Sequence, residues 1–107
     1  MPKYLCEADY SQQGTSGLVK DGGSKRRAAV EAAVKSVGGT VEAFYFSFGT
    51  RDVVIIADMP NNVAAAAISL AVSASGAVTL KTTPLLTCEE IDAAAKKAVK
   101  YRAPGTK

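Results

Sequence analysis

The sequence contains neither histidine nor tryptophan among its 107 residues. Without histidine, the chain lacks the commonest general base, the commonest metal ligand and every Ser-His or Cys-His nucleophile pair. We therefore expect no catalytic triad, no metal site and no cofactor. This absence excludes more functions than any residue that is present suggests.

Cysteine is scarce as well. The two cysteines, Cys6 and Cys88, lie far apart in the sequence and match none of the spacings that are typical of metal sites. We expect both to be free thiols in a reducing compartment, where they act as buried or half-buried small apolar residues.

Long apolar runs and concentrated charge are also missing. No apolar run approaches the ~18 residues that a membrane span needs, and Met1 to Glu7 lacks the basic-then-apolar order of a signal peptide. A cytoplasmic protein with no membrane partner is expected.

The 13 Lys and Arg exceed the 10 Asp and Glu by only three and are dispersed, and four Tyr and three Phe are few for stacking bases. We therefore expect no nucleic-acid partner.

Changes in hydrophobic periodicity, each marked by turn residues, divide the chain into elements. The pattern predicts strands over 3–10, 40–48, 53–57 and 77–85, with the last one stopped by Pro84. It predicts helices over 25–37 (capped by Ser24), 63–75 and 88–99, and a short, interrupted helix within 15–20, where glycines are frequent. Thr87 and Glu90 match a capping box for the final helix. A loose tail is expected from about residue 100.

The order of these elements predicts one α+β domain over 1–107, a ferredoxin-like β-α-β-β-α-β sandwich. Its antiparallel four-stranded sheet would have the spatial order 4-1-3-2, with helices on one face only. Val53 to Ala57 is apolar on both sides, so the second face of the sheet must also be covered. We expect a second copy to cover it, which gives a homodimer, or a higher homo-oligomer, by sheet-on-sheet packing. Phe44, Phe46 and Phe48 are expected in the core beneath the helices.

Three segments resemble the GYD domain, a small family related to the dimeric α/β barrels. They are Tyr10 to Gly14 (YSQQG), Tyr45 to Val54 (YFSFGTRDVV) and Lys81 to Thr87 (KTTPLLT). Arg51 stands where the family has the tyrosine of its name. The resemblance implies a ferredoxin-like protomer that dimerises through its sheet, and it implies no particular activity.

Polar residues on the sheet face away from the helices form the candidate site. They are Glu7, Asp9, Tyr45, Ser47, Lys81 and Thr83. One hypothesis makes Glu7 or Asp9 a general base, with Tyr45 or Lys81 stabilising a developing negative charge. The other makes Glu7 and Lys81 a cross-strand ion pair at the dimer seam, which we favour because structural pairs perturb carboxylates as readily as catalysis does.

Two further features are ambiguous. Tyr10, at the end of the first strand, either binds a ligand through its hydroxyl or covers an edge of the core. The Lys25-Arg26-Arg27 triplet lies at a helix N-terminus, where it could bind phosphate or carboxylate, although a solvated face is the favoured interpretation. Arg51 in the hairpin loop could contact a partner subunit, and Asp52 is expected to bond to the backbone.

Two classes of function follow. The first is a non-catalytic module that binds a small ligand, with a small anion as the candidate, or that serves assembly. The alternative is a cofactor-independent enzyme, such as the monooxygenases and isomerases of the related dimeric barrels. Those enzymes commonly use a histidine or an electron-rich tryptophan, and this chain has neither, so the module is favoured.

Overall fold

A computed structural model describes residues 1–105 of the chain. Eight elements follow one another: β1 (Lys3–Tyr10), α1 (Gln12–Asp21), α2 (Gly23–Ser36), β2 (Thr40–Phe46), β3 (Val53–Asp58), α3 (Asn62–Ala74), β4 (Val78–Leu85) and α4 (Cys88–Ala95). The α+β class and the four-stranded antiparallel sheet are confirmed. The described residues hold four helices, with two consecutive helices between β1 and β2.

The sheet has the strand order β2-β3-β1-β4, so β1 pairs with β3 on one side and with β4 on the other. Alternation along β1 buries Tyr4, Cys6 and Ala8 on the core face and leaves Leu5, Glu7 and Asp9 half-buried on the opposite face. We call this opposite face the outer face of the sheet.

The core lies between the other face and the helices α2 and α3. Its members are Tyr4, Cys6, Ala8, Val34, Phe44, Val53, Ile55, Ala57, Met59, Ala65 and Val78. The Tyr4 hydroxyl donates to Asn62 Oδ1 at 2.6 Å, so the buried phenol keeps a hydrogen bond and fixes the start of α3. β1 and β3 supply three of these residues each, so the two central strands form the middle of the core face.

The first helix is longer than the glycine content predicts. α1 runs without interruption over ten residues, so the expected short, interrupted helix is wrong. Ser11 explains the difference, since its side chain accepts from Gly14 N at 3.1 Å as an N-cap and also donates to Ala77 O. Gly14 also has a packing role, because a β-carbon there would collide with the Ala77 carbonyl oxygen.

The second helix begins earlier than predicted. α2 starts at Gly23, so Ser24 lies inside the helix. The prediction that Ser24 caps this helix is therefore wrong. Gly22 alone joins α1 to α2, with a φ of 85° that glycine adopts at little cost. Its N–H donates to Leu18 O and its carbonyl accepts from Arg26 N, so the junction satisfies backbone groups of both helices.

The aromatic row of the second strand is not a continuous part of the core. Phe44 is buried, but Phe46 is 42% exposed and Phe48 is fully exposed, so the prediction of three core phenylalanines is wrong for two of them. β2 ends at Phe46, two residues before the predicted end, and a register irregularity lies between Val41 and Ala43. The loop that follows leaves the sheet instead of extending it.

The later elements agree more closely with the sequence pattern. Asn61 caps α3 by accepting from Ala64 N, and β4 continues through Pro84, which an edge strand tolerates. The capping box of Thr87 and Glu90 is confirmed. However, α4 ends at Ala95 and not at residue 99. Residues 100–105 of the expected tail have neither helix nor strand, and 106–107 lie outside the described residues.

The C-terminal arm, residues Leu86–Gly105, extends away from this body. All its residues are exposed, and α4 buries none of its eight. The chain is therefore long, with a greatest extent of 60 Å and a radius of gyration of 17.2 Å. A compact chain of this length would have a radius of gyration of about 13 Å.

We expect Gly14→Ala to destabilise the protein by about 1–3 kcal/mol, because the added methyl group meets a backbone carbonyl that cannot move without shifting β4. Gly17→Ala is the matched control in the same helix, since a β-carbon there has no atom within 4 Å among the described residues. It should stabilise the protein by roughly 0.5–1 kcal/mol through helix propensity. Urea unfolding measures both, and equal effects of the two substitutions would contradict the packing role of Gly14.

Candidate functional site

The structure separates the predicted site residues into two groups. Glu7, Asp9, Tyr45, Lys81 and Thr83 lie on the outer face, where the strand registers align Glu7 with both Val54 and Lys81. Tyr10 and Ser47 lie instead at the end of the sheet, beside α1 and the loop between β2 and β3. The seven residues therefore do not form one site.

Glu7 and Lys81 are direct cross-strand partners, as the sequence suggested. Their side chains, however, form no ion pair in the described protomer. Lys81 is exposed and Glu7 is half-buried, so water solvates the ammonium group, and the expected ion pair is absent from the single protomer.

The Asp9 carboxylate is held by the hairpin loop. Arg51 Nη1 donates to Asp9 Oδ2 at 2.6 Å, and Asp52 N donates to Asp9 Oδ1 at 3.2 Å. Both oxygens therefore accept hydrogen bonds within the protomer, which gives Asp9 a structural role in holding the hairpin loop. Arg51 binds its own chain through this contact, where the sequence had suggested a partner subunit.

Asp52 fixes the same loop to the end of β1. Its Oδ2 accepts from Tyr10 N at 2.9 Å, its N–H donates to Ala8 O at 3.0 Å, and its carbonyl accepts from Ser47 N at 2.8 Å. The expected side-chain-to-backbone bond of Asp52 is confirmed. These bonds set the path of the loop that carries Phe48.

Lys3 holds the other end of the outer face, which sequence reasoning did not predict. Its Nζ donates to Glu42 and to Asp58, both at 2.9 Å, and these hydrogen bonds raise the pKa of the ammonium group. The group is exposed to solvent, and we assign it a structural role across β2, β3 and β1.

An aromatic groove of about 390 Å³ lies at the end of the sheet that Asp52 fixes. It is lined by Tyr10, Thr15, Leu18, Gly23, Phe46, Ser47, Phe48 and Asp52. Gly23 makes this packing possible, because a β-carbon there would lie 2.9 Å from the Phe46 ring. The groove is thus lined by three aromatic side chains, together with the hydroxyl groups of Thr15 and Ser47 and the carboxylate of Asp52.

A second cleft, of about 380 Å³, adjoins the groove through Tyr10 and Leu18, which line both. We call it the Arg26 cleft. Its other lining residues are Gln13, Gly14, Gly17, Asp21, Arg26, Ala71, Val72, Ser75, Ala77 and Val78. Arg26 also lines a small apolar cavity of about 40 Å³ above the core face of the sheet.

Arg26 is the residue that the sequence analysis misjudged. Its Nε is buried and has no hydrogen-bond partner within the described part of the chain, although nearly all buried polar groups in proteins have one. A signal was present in the sequence: Arg26 precedes Val30 and Val34 at four-residue spacing, which puts it on the buried stripe of α2. Arg27, by contrast, is exposed and lies 3.8 Å from Glu31 on the solvent side.

Cys6 is a poor nucleophile. It is buried, and burial raises the pKa of its thiol, a shift that a hydrogen bond with Thr82 partly offsets. Cys88 is exposed at the start of α4, so the expectation of buried or half-buried cysteines is right only for Cys6.

The chain belongs to the GYD domain family, whose model matches residues 4–95. No curated protein and no solved structure matches it. Two of the three segments that carried the resemblance contribute lining residues to the aromatic groove: Tyr10 from the first, and Phe46, Ser47, Phe48 and Asp52 from the second. In residues 1–105, no helix has the length and apolar character needed to cross a bilayer.

We expect Asp52→Ala to destabilise the protein by about 1.5–3 kcal/mol, because it removes a carboxylate that accepts from the Tyr10 N–H. Arg51→Ala, at the preceding position, is the control. The pair that it breaks is about one-third exposed on both sides, so the cost should be at most about 1 kcal/mol. Urea unfolding of both variants measures the difference, and a larger effect of Arg51→Ala would contradict this assignment.

Proposed function

We propose that this protein is a non-catalytic, homodimeric binding module whose ligand is a small carboxylate with an apolar, preferably aromatic, body. The protomer would be ferredoxin-like and would pair through its outer face, as in dimeric α/β barrels. The observation that carries the ligand proposal is the buried Arg26 Nε, which lacks a partner within residues 1–105.

The chemistry of the ligand follows from what lines the two clefts. An arginine with an unused, desolvated donor is suited to a carboxylate, which accepts guanidinium N–H bonds in a planar, bidentate geometry. Next to it, Tyr10, Phe46 and Phe48 provide apolar ring surface that water covers in the free protein. A ligand with an anionic head and a ring-shaped body would bury both.

A binding role is better supported than catalysis. Asp9 and Asp52 both accept hydrogen bonds that hold the hairpin loop, so both carboxylates already serve the fold. Glu7 lies on the outer face of the sheet, away from the clefts beside α1. The residues around Arg26 recognise charge and shape, and they include no histidine.

The outer face supports the homodimer. Leu5 and Ile56 are direct cross-strand partners there, Ala43 pairs with Ile56 from the other side, and Val54 pairs with Tyr45. Tyr45 is 70% exposed in the protomer. An apolar patch of this kind, bordered by Lys3, Glu7, Asp9 and Lys81, is typical of an interface.

Titration with benzoate and its neutral isostere benzamide tests the ligand class. We expect the wild-type protein to bind benzoate about 10-fold or more tightly than benzamide, because a charge-assisted hydrogen bond contributes about 1.5–3 kcal/mol. Arg26→Met should remove this preference, while Arg27→Met, the neighbouring exposed arginine, should retain it. Amide chemical shifts in an NMR titration report both affinity and location. No preference in the wild type, or an equal loss in both variants, would overturn the proposal.

The homodimer is tested separately by light scattering. Wild-type protein should have twice the protomer mass of 11.0 kDa. Ile56→Glu puts a charge in the middle of the outer face and should give the protomer mass. Val19→Glu changes a residue on α1 that is 82% exposed and should leave the dimer intact. Circular dichroism checks that both variants are folded, and a dimer that survives Ile56→Glu would contradict the outer face as the contact that holds the two copies together.

A further inference from the structure

Helix α3 is apolar on more than the side that faces the sheet. None of its 13 residues is charged. Ala65, Ile68 and Val72 face the core, but the opposite side also carries apolar residues at helical spacing: Val63, Ala66, Ala67 and Leu70, all exposed. We call these four residues the α3 stripe. A helix that is apolar all round is normally buried on all sides.

A groove of about 490 Å³ runs beside this stripe, between α3 and the edge strand β4. Its lining residues are Tyr4, Asn62, Ala65, Ala66, Ser69, Leu70, Leu80, Thr82 and Pro84. The walls are mostly apolar and contain no charged side chain. The groove and the stripe together are suited to an apolar helix with small side chains.

Helix α4 has the complementary character. Cys88, Ile91 and Ala95 share one side at three- and four-residue spacing; Asp92 borders this side four residues after Cys88, and Glu89 lies off it. The helix has a complete capping box, so its sequence specifies a helix. Yet isolated helices shorter than ~12 residues are marginal in water, and α4 buries none of its residues in the protomer. Its stability therefore requires a surface to pack on.

We propose that α4 of one copy packs on the α3 stripe and groove of a second copy, and that the exchange is reciprocal. The protomer directs the arm outward: β4 ends at Leu85, and Thr87 is extended with φ −75° and ψ 165° before α4 begins. The arm thus contributes to the 60 Å extent and does not cover α3 of its own chain. Two-fold symmetry would make the contact twice and cover both unpartnered surfaces of each chain.

This inference shares with the proposed function only the requirement for a second copy. Alanines on both helices permit close approach of their backbones, and the uncharged α3 face leaves no buried charge beneath Ile91. The same contact would shield Cys88, which is exposed in the isolated protomer. Its thiol is therefore a built-in reporter, since Cys6 is buried in the core.

The experiment measures the rate at which a disulfide reagent reacts with Cys88 in the full-length protein. We expect slow reaction in the wild type and reaction several-fold faster in both Leu70→Glu, which alters the receiving stripe, and Ile91→Glu, which alters the arm. Val19→Glu, on exposed α1, is the control and should react as slowly as the wild type.

Mixing the two variants separates exchange between copies from packing within one chain. In a mixed dimer, the unaltered α4 of the Leu70→Glu chain meets the unaltered α3 of the Ile91→Glu chain, so one of the two Cys88 thiols becomes slow again. If the arm packs on its own chain, mixing restores nothing, and the proposal is overturned. Fast reaction of Cys88 in the wild type overturns it as well.

The outcomes also distinguish this proposal from the preceding one. Because exchanged arms could themselves hold two copies together, the outer face is tested in the Ile91→Glu background: a dimer that Ile56→Glu then converts to the protomer mass supports the outer-face interface, and one that survives excludes it. A wild-type mass equal to one protomer would exclude both forms of assembly. Neither the mass nor the Cys88 reaction rate affects the test of benzoate against benzamide, because one protomer supplies all the residues that line the two clefts.

Discussion

The candidate site depends on one hydrogen bond, which the Asp52 carboxylate accepts from the backbone N–H of Tyr10. This bond turns the loop after β2 back onto the end of β1. The same turn brings the Asp52 N–H and Arg51 to the two oxygens of Asp9. As a consequence, the chain leaves the sheet after Phe46, and the rings of Phe46 and Phe48 become a wall of the groove. A single hydrogen-bonded corner thus determines both the loop and the groove.

Local patterns predicted most of the fold. Alternation along β1 determined which side chains are buried, and the Thr87–Glu90 capping box placed the start of α4 correctly, because both depend on residues close in sequence. The pairing of Glu7 with Lys81 was also foreseen from the element order. By contrast, the length of α1 depends on the Ala77 carbonyl, which lies far away in the chain and left no local signal.

The site itself was harder to predict. Phe46 has the strand spacing of a core residue and pairs with Val53, yet it lies at the end of β2 and is 42% exposed. Arg26 was grouped with its basic neighbours, although its spacing to Val30 and Val34 already distinguished it from Arg27. Clustered basic side chains are usually solvated, and the Lys25-Arg26-Arg27 triplet was therefore expected to be solvated as a whole. Arg26, whose Nε is buried, departs from that tendency. Helical periodicity, applied residue by residue, would have identified it.

The single-residue junction at Gly22 has a mechanical consequence. α1 buries none of its ten residues, and its neighbour α2 buries only Val34, so α1 is held to the body mainly through its ends, at Ser11 and at Gly22. A glycine with a positive φ can change its backbone angles with little steric resistance. Because Ser11 and Gly14 hold the other end of α1 against Ala77, the conformation of Gly22 sets the angle between the two helices, and with it the shape of the cleft that both helices line around Arg26.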